Sequence, residues 1–152
     1  MELLVRNLQR LPVDEDLLAR AARHTVAVGL QAPDSPADTA PDSIGIAVVD
    51  DRRIRELNRG FLGADETTDV IAFEAEDDPV RRSGEVIVSA DTARRQAQEY
   101  GHSMAREMCL LVAHGVLHVL GYEDEDQSAR GRMMHLQEQA LSALGGGLTD
   151  HG

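Results

Sequence analysis

Polar and apolar positions along the chain change period several times. Residues 2–8 alternate weakly and predict a first strand. The period then lengthens over residues 13–30, where Leu17, Leu18, Ala21 and Ala22 form a helical stripe. Pro12 precedes this helix, and residues 14–16, all acidic, suit its positive N-terminal end. Residues 31–42 hold three prolines and few apolar side chains, and predict a loop. Ser-Ile-Gly-Ile-Ala-Val-Val at 43–49 predicts a second strand. Asp50 is placed to cap a short helix carrying Ile54 and Leu57. Residues 69–73 predict a third strand, 74–83 an acidic loop, and 84–89 a fourth strand.

The remainder reads as helix. An amphipathic segment at 90–100 stops at Gly101. Ser103 caps a second segment running to about Leu120, and a third covers roughly 127–144 before glycines 145–147. Residues 148–152 are expected to be a disordered tail. Strands gathered in the first 90 residues, followed by consecutive helices, predict an α+β fold. A length of 152 residues with no repeat or linker predicts one domain, 1–152.

Composition narrows the possibilities. No run of about 18 apolar residues exists, so no membrane span is expected. The first residues lack the basic region and long apolar stretch of a signal peptide, and a single cysteine, Cys109, cannot form an internal disulfide. These features predict a cytoplasmic protein. The net charge of −12, from 27 carboxylates against 15 arginines, opposes indiscriminate nucleic-acid binding. Any RNA substrate must therefore meet a local arginine patch or arrive through a protein partner.

The candidate chemistry lies in His114-Gly115-Val116-Leu117-His118-Val119-Leu120-Gly121-Tyr122-Glu123-Asp124. His114 and His118 project from one helical face, one turn apart, within reach of one cation. Gly121 falls where the helix should stop, and beyond the turn Asp124 can return as a third donor, leaving an open coordination position. Glu123, Glu125 and Asp126 are near enough to compete for that role, although a solvated helix N-terminus also accounts for them. The competing reading of the histidines is a pair of core imidazoles bonded to neighbouring groups. The spacing H-x-x-x-H-x-x-G-x-x-D parallels the zinc motif of metzincin proteases, but Gly115 stands where those enzymes carry their general-base glutamate.

The same stretch resembles the hallmark H-G-x-L-H-L-x-G-Y-D-H of the YbeY family, bacterial metal-dependent endoribonucleases of ribosomal RNA maturation. Leu57-Asn58-Arg59, Gly63-Ala64-Asp65 and Thr68-Asp69-Val70-Ile71-Ala72-Phe73 are similar to that family's L-N-x…G-x-D…T-[DN]-V-L-S-F block. Gly84-Glu85-Val86-Ile87-Val88-Ser89 is similar to its G-D-I-V-I-S strand, and Gln96-Ala97 and Glu107 also fit. The likeness covers about residues 44–144. It implies a small mixed four-stranded sheet packed with about five helices and a metal site in a cleft. It also implies one zinc ion held by His114, His118 and a third ligand. That ligand is histidine in the family and Asp124 here, while Glu123 replaces the family's aspartate. Two histidines and a carboxylate also suit iron or manganese.

Family members often carry an important arginine at the position of Leu62, and Arg59, one helical turn earlier, could reach the same space as the catalytic, phosphate-binding arginine. The implied substrate is single-stranded rRNA, with a small-subunit ribosomal protein and an assembly GTPase as partners. The alternatives are a non-catalytic ribosome-assembly factor and a zinc hydrolase acting as protease or amidase.

Overall fold

The computed structural model describes residues 1–62, 69–75 and 80–145. Residues 63–65 and 68 of the family block, the side chain of Leu62, positions 76–79 of the acidic loop and the tail from 148 lie outside the described residues. Among the described residues the elements follow in the order β1 (Glu2–Asn7), α1 (Glu15–Gln31), β2 (Ser43–Val49), α2 (Asp51–Leu62), β3 (Val70–Ala75), β4 (Ser83–Ser89), α3 (Ala90–Tyr100), α4 (Met104–Val119) and α5 (Gln127–Ser142). Five helices and a mixed four-stranded sheet make the α+β fold that the sequence predicts.

Helix starts follow the capping residues. Asp14 accepts from Leu17 N at 3.0 Å, so α1 begins at Glu15, two residues after the predicted start at Val13. Asp50 accepts from Arg53 N at 2.8 Å, and Ser103 from Arg106 N at 3.1 Å. The third strand runs to Ala75, two residues past the predicted end, because pairing with Ser83 and Gly84 draws Glu74 and Ala75 into the sheet.

The strand order is β1-β2-β4-β3. β1, β2 and β4 are parallel, and β3 pairs antiparallel at the edge. Alternation along the strands separates two faces. Ile44, Ile46, Val48, Val86 and Val88 join the main core with α1, α3 and α4, whereas Ala47, Val49, Ile71 and Ile87 pack with Ile54 of α2. α4 and α2 thus lie on opposite faces.

α4 is the central helix, packed against β3, β4, α1, α3 and α5. Its close approach to the sheet depends on Gly115, where an added Cβ would stand 2.5 Å from Val86 Cγ1 and 3.2 Å from Val70 Cγ2. Cys109 on the same helix is fully buried, and burial pushes its thiol pKa up to about 12, as befits a core residue. Met133 is likewise core, whereas Met134 is exposed, so helix packing accounts for only one of the two methionines. Among the described residues no helix is long and apolar enough to cross a membrane.

Candidate metal centre and cleft

The two imidazoles project from the last turns of α4. His114 Nε2 and His118 Nε2 lie 3.1 Å apart, with the rings nearly perpendicular at a centroid distance of 4.6 Å. Each ring is oriented from behind. His118 Nδ1 lies 3.0 Å from the Tyr122 carbonyl, which can only accept, so Nδ1 carries the proton. His114 Nδ1 lies 3.2 Å from Gln137 Oε1, while Gln137 Nε2 faces the Leu110 carbonyl at 3.5 Å. With Nδ1 protonated on both rings, both Nε2 lone pairs point into the same space.

The chain returns to that space through a tight turn. Gly121 adopts φ +103°, which favours glycine, and its N–H donates to the His118 carbonyl at 3.0 Å. Tyr122 N donates to the Leu117 carbonyl, and the buried Tyr122 hydroxyl donates to the Gly29 carbonyl at 2.7 Å. This anchor on α1 aims the following residues at the histidines. Asp124 Oδ2 comes to 3.4 Å from His114 Nε2 and 3.6 Å from His118 Nε2. The rival donors do not converge in this way. Glu123 and Glu125 are exposed, and Asp126 caps α5 by accepting from Ala129 N at 2.8 Å.

The donor set fits a divalent cation. Ligand atoms of His114, His118 and Asp124 lie within 4.8 Å of one another. A tetrahedral ion with bonds of about 2.0–2.1 Å has donors about 3.4 Å apart, close to the three observed separations. Two facing lone pairs beside a carboxylate repel one another unless positive charge lies between them. The bond from His114 to Gln137 and that from His118 to the Tyr122 carbonyl are the kind that fix a ligating imidazole's tautomer.

Gln137 and Tyr122 were not legible as site residues. The signal for Gln137 was a polar side chain in the buried stripe of α5, between Met133, Leu136, Ala140 and Leu141. Gln137→Leu is expected to weaken metal affinity about 10- to 100-fold with the fold retained, whereas Gln137→Glu, which keeps an acceptor, should restore much of it. Metal titration of the chelated protein checks this.

His114 and Asp124 open into a cleft of about 610 Å³ between α3, α4 and α5. Its guanidinium groups are Arg106 and Arg130. Arg106 also pairs with Glu138 at 2.7 Å, and Arg130 Nη1 reaches the Asp124 carbonyl at 3.4 Å. Arg59 is placed elsewhere. It lines a second cavity of about 460 Å³ with Asp51, Arg52, Arg55 and Glu56, because α2 packs on the sheet face away from α4. His102, which has no ligand spacing in the sequence, lines the histidine cleft with Glu107.

Fold and site define a class of protein: an α+β domain with a candidate single-cation centre of two imidazoles and a carboxylate, set in an arginine-bearing cleft. The family profile described as Endoribonuclease YbeY matches residues 5–145. A Desulforamulus reducens protein named Endoribonuclease YbeY is 39% identical over 155 residues, spanning 95% of this chain and 98% of that protein. A Moorella thermoacetica protein of the same name is 38% identical over 158 residues, with the same coverage. A Thermotoga maritima protein solved in solution shares the fold, with a TM-score of 0.57 at 23% identity over 98% of this chain and 99% of that one. The chain belongs to the YbeY endoribonuclease family.

Proposed function

We propose that this protein is a metal-dependent endoribonuclease that cuts single-stranded RNA during ribosomal RNA maturation. In this reading it acts at the 3′ end of the small-subunit rRNA and in ribosome quality control, in the cytoplasm. The observation that carries the proposal is the convergence of His114 Nε2, His118 Nε2 and Asp124 Oδ2 on one point, in a chain of this family.

Zinc is the proposed ion, and the donor set also accommodates iron or manganese. A divalent ion bound there supplies Lewis acidity toward a phosphoryl oxygen and acidifies water. His114, His118 and Asp124 hold it, with Gln137 and the Tyr122 carbonyl orienting the rings. Arg59 is the proposed phosphate contact; in its own cavity, with the guanidinium groups of Arg52 and Arg55, it would hold the RNA backbone away from the reacting phosphate. Arg59→Ala is then expected to lower kcat/KM roughly 10- to 100-fold. An unchanged value moves that role to Arg106 or Arg130 in the histidine cleft.

A small-subunit ribosomal protein and an assembly GTPase are the proposed protein partners. The net charge of −12 favours a basic ribosomal protein and is the one feature that supports a purely binding role. A protease or amidase is disfavoured, because Gly115 offers no carboxylate and faces Val86 and Val70.

The deciding experiment compares a single-stranded RNA with its duplex, with and without chelator. Cleavage confined to the single strand, lost on chelation and restored by zinc or manganese, is expected. Equal cleavage in both tubes, or none in either, overturns the nuclease and leaves the assembly-factor reading.

A further inference from the structure

Aromatic residues are scarce in this chain, which has two tyrosines, two phenylalanines and no tryptophan. Tyr122 is buried and its hydroxyl is committed to the Gly29 carbonyl. Tyr100 is the opposite case. The residue is 62% exposed, yet it lines the same cleft as His114 and Asp124. Core packing does not explain a ring held in this position.

The ring sits at a hydrogen-bonded joint between two helices. Tyr100 ends α3, Gly101 and His102 both donate backbone N–H bonds to the Ala97 carbonyl, and Ser103 caps α4. The His102 ring lies 6.1 Å from Tyr100, tilted by 55°. It is held by Glu107, whose buried carboxylate stands 2.6 Å from His102 Nε2. From the facing wall, Met134 of α5 presents an exposed apolar side chain to the same cleft. Arg106 and Arg130 line the same cleft and supply its cations.

We infer that Tyr100, backed by His102, is a stacking platform for an unpaired nucleobase of the RNA strand lying in the metal-site cleft. Every base has a π-face, so a ring at the cleft edge binds single strands without reading sequence, and a duplex cannot offer it a base. Glu107 and His114 share one face of α4, seven residues and therefore about 10 Å apart along the axis. The end of the cleft where Glu107 holds His102 therefore lies about two turns of α4 from His114. The inference deepens the proposed nuclease reading and rests on it for the identity of the ligand.

The test measures binding of a short fluorescent unstructured RNA in EDTA, so that it stays uncut, alongside the same RNA with single abasic positions. Tyr100→Ala is expected to weaken binding by about 5- to 150-fold, and Tyr100→Phe to leave it near wild type. One abasic position should weaken wild-type binding by a similar factor and have little further effect on Tyr100→Ala. Equal affinity of wild type and Tyr100→Ala overturns the platform, as does an equal loss in Tyr100→Phe, or a Tyr100→Ala loss that is the same for intact and abasic RNA. Cleavage by the same variants separates the two ideas. Wild type that binds through Tyr100 but cuts nothing loses the nuclease and keeps the platform. Cutting with a KM indifferent to Tyr100 does the reverse.

Discussion

His118→Ala is expected to lose bound metal and at least about 100-fold in kcat on single-stranded RNA, because a catalytic cation supplies several kcal/mol of charge stabilisation. The argument is geometric. His118 Nε2 faces His114 Nε2 at 3.1 Å and Asp124 Oδ2 at 3.6 Å, so its removal leaves two protein donors where three converge. The side chain is partly exposed, and its loss opens no core cavity. Elemental analysis, the thermal midpoint and single-stranded RNA cleavage together read the result. The fold should persist, and the variant should match chelated wild type. Asp124→His is the informative companion. Histidine binds zinc at nearly the same distance as a carboxylate, so this variant should keep metal, whereas Asp124→Ala should not. Wild-type metal content and rate in His118→Ala would remove the metal centre from the account.

A clear loss of stability is expected on substituting Gly115. An added Cβ meets Val86 Cγ1 at 2.5 Å, and Val86 is fully buried and branched at Cβ, so it has little freedom to turn away. On an open helix, Gly→Ala gains about 1 kcal/mol from propensity. Here overpacking costs about 1–3 kcal/mol in the opposite sense and wins, because neither α4 nor β4 can move without disturbing the core between them. Gly115→Ala should therefore lower the thermal midpoint by several degrees. Val86→Ala in the same chain should recover part of that loss, and the double-mutant cycle measures the coupling. Gly115→Glu forces a carboxylate against the sheet and should fail to fold. A Gly115→Ala protein as stable as wild type would show that this close approach is not a constraint. The same contact explains why a protease-like glutamate has no place after His114: that direction from the helix leads into β4, not into the cleft.

Much of the candidate centre could be read from local spacing. His114 and His118 share a face because they are one turn apart, and Gly121 ends the helix because its φ of +103° suits glycine. Asp124 was one of four acidic residues in reach, and what distinguishes it is Tyr122, tied by its hydroxyl to Gly29 on the distant α1. Arg59 marks the limit of such reasoning. One turn from Leu62 along α2 is a short step in sequence, yet α2 packs against Ile71 and Ile87 on the face opposite α4, so Arg59 lines another cavity.

By itself the sequence determined what depends on neighbours along the chain: strand and helix periods, the caps at Asp50 and Ser103, and two imidazoles on one helical face. Only the tertiary structure decided what depends on distant segments meeting. It set the strand order β1-β2-β4-β3, the convergence of Asp124 on the two histidines, the Gln137 bond behind His114 and the joining of Tyr100, His102 and Glu107 to the cleft of the candidate metal centre. Periodicity records which side of an element is apolar, and carries no record of which other element will cover it.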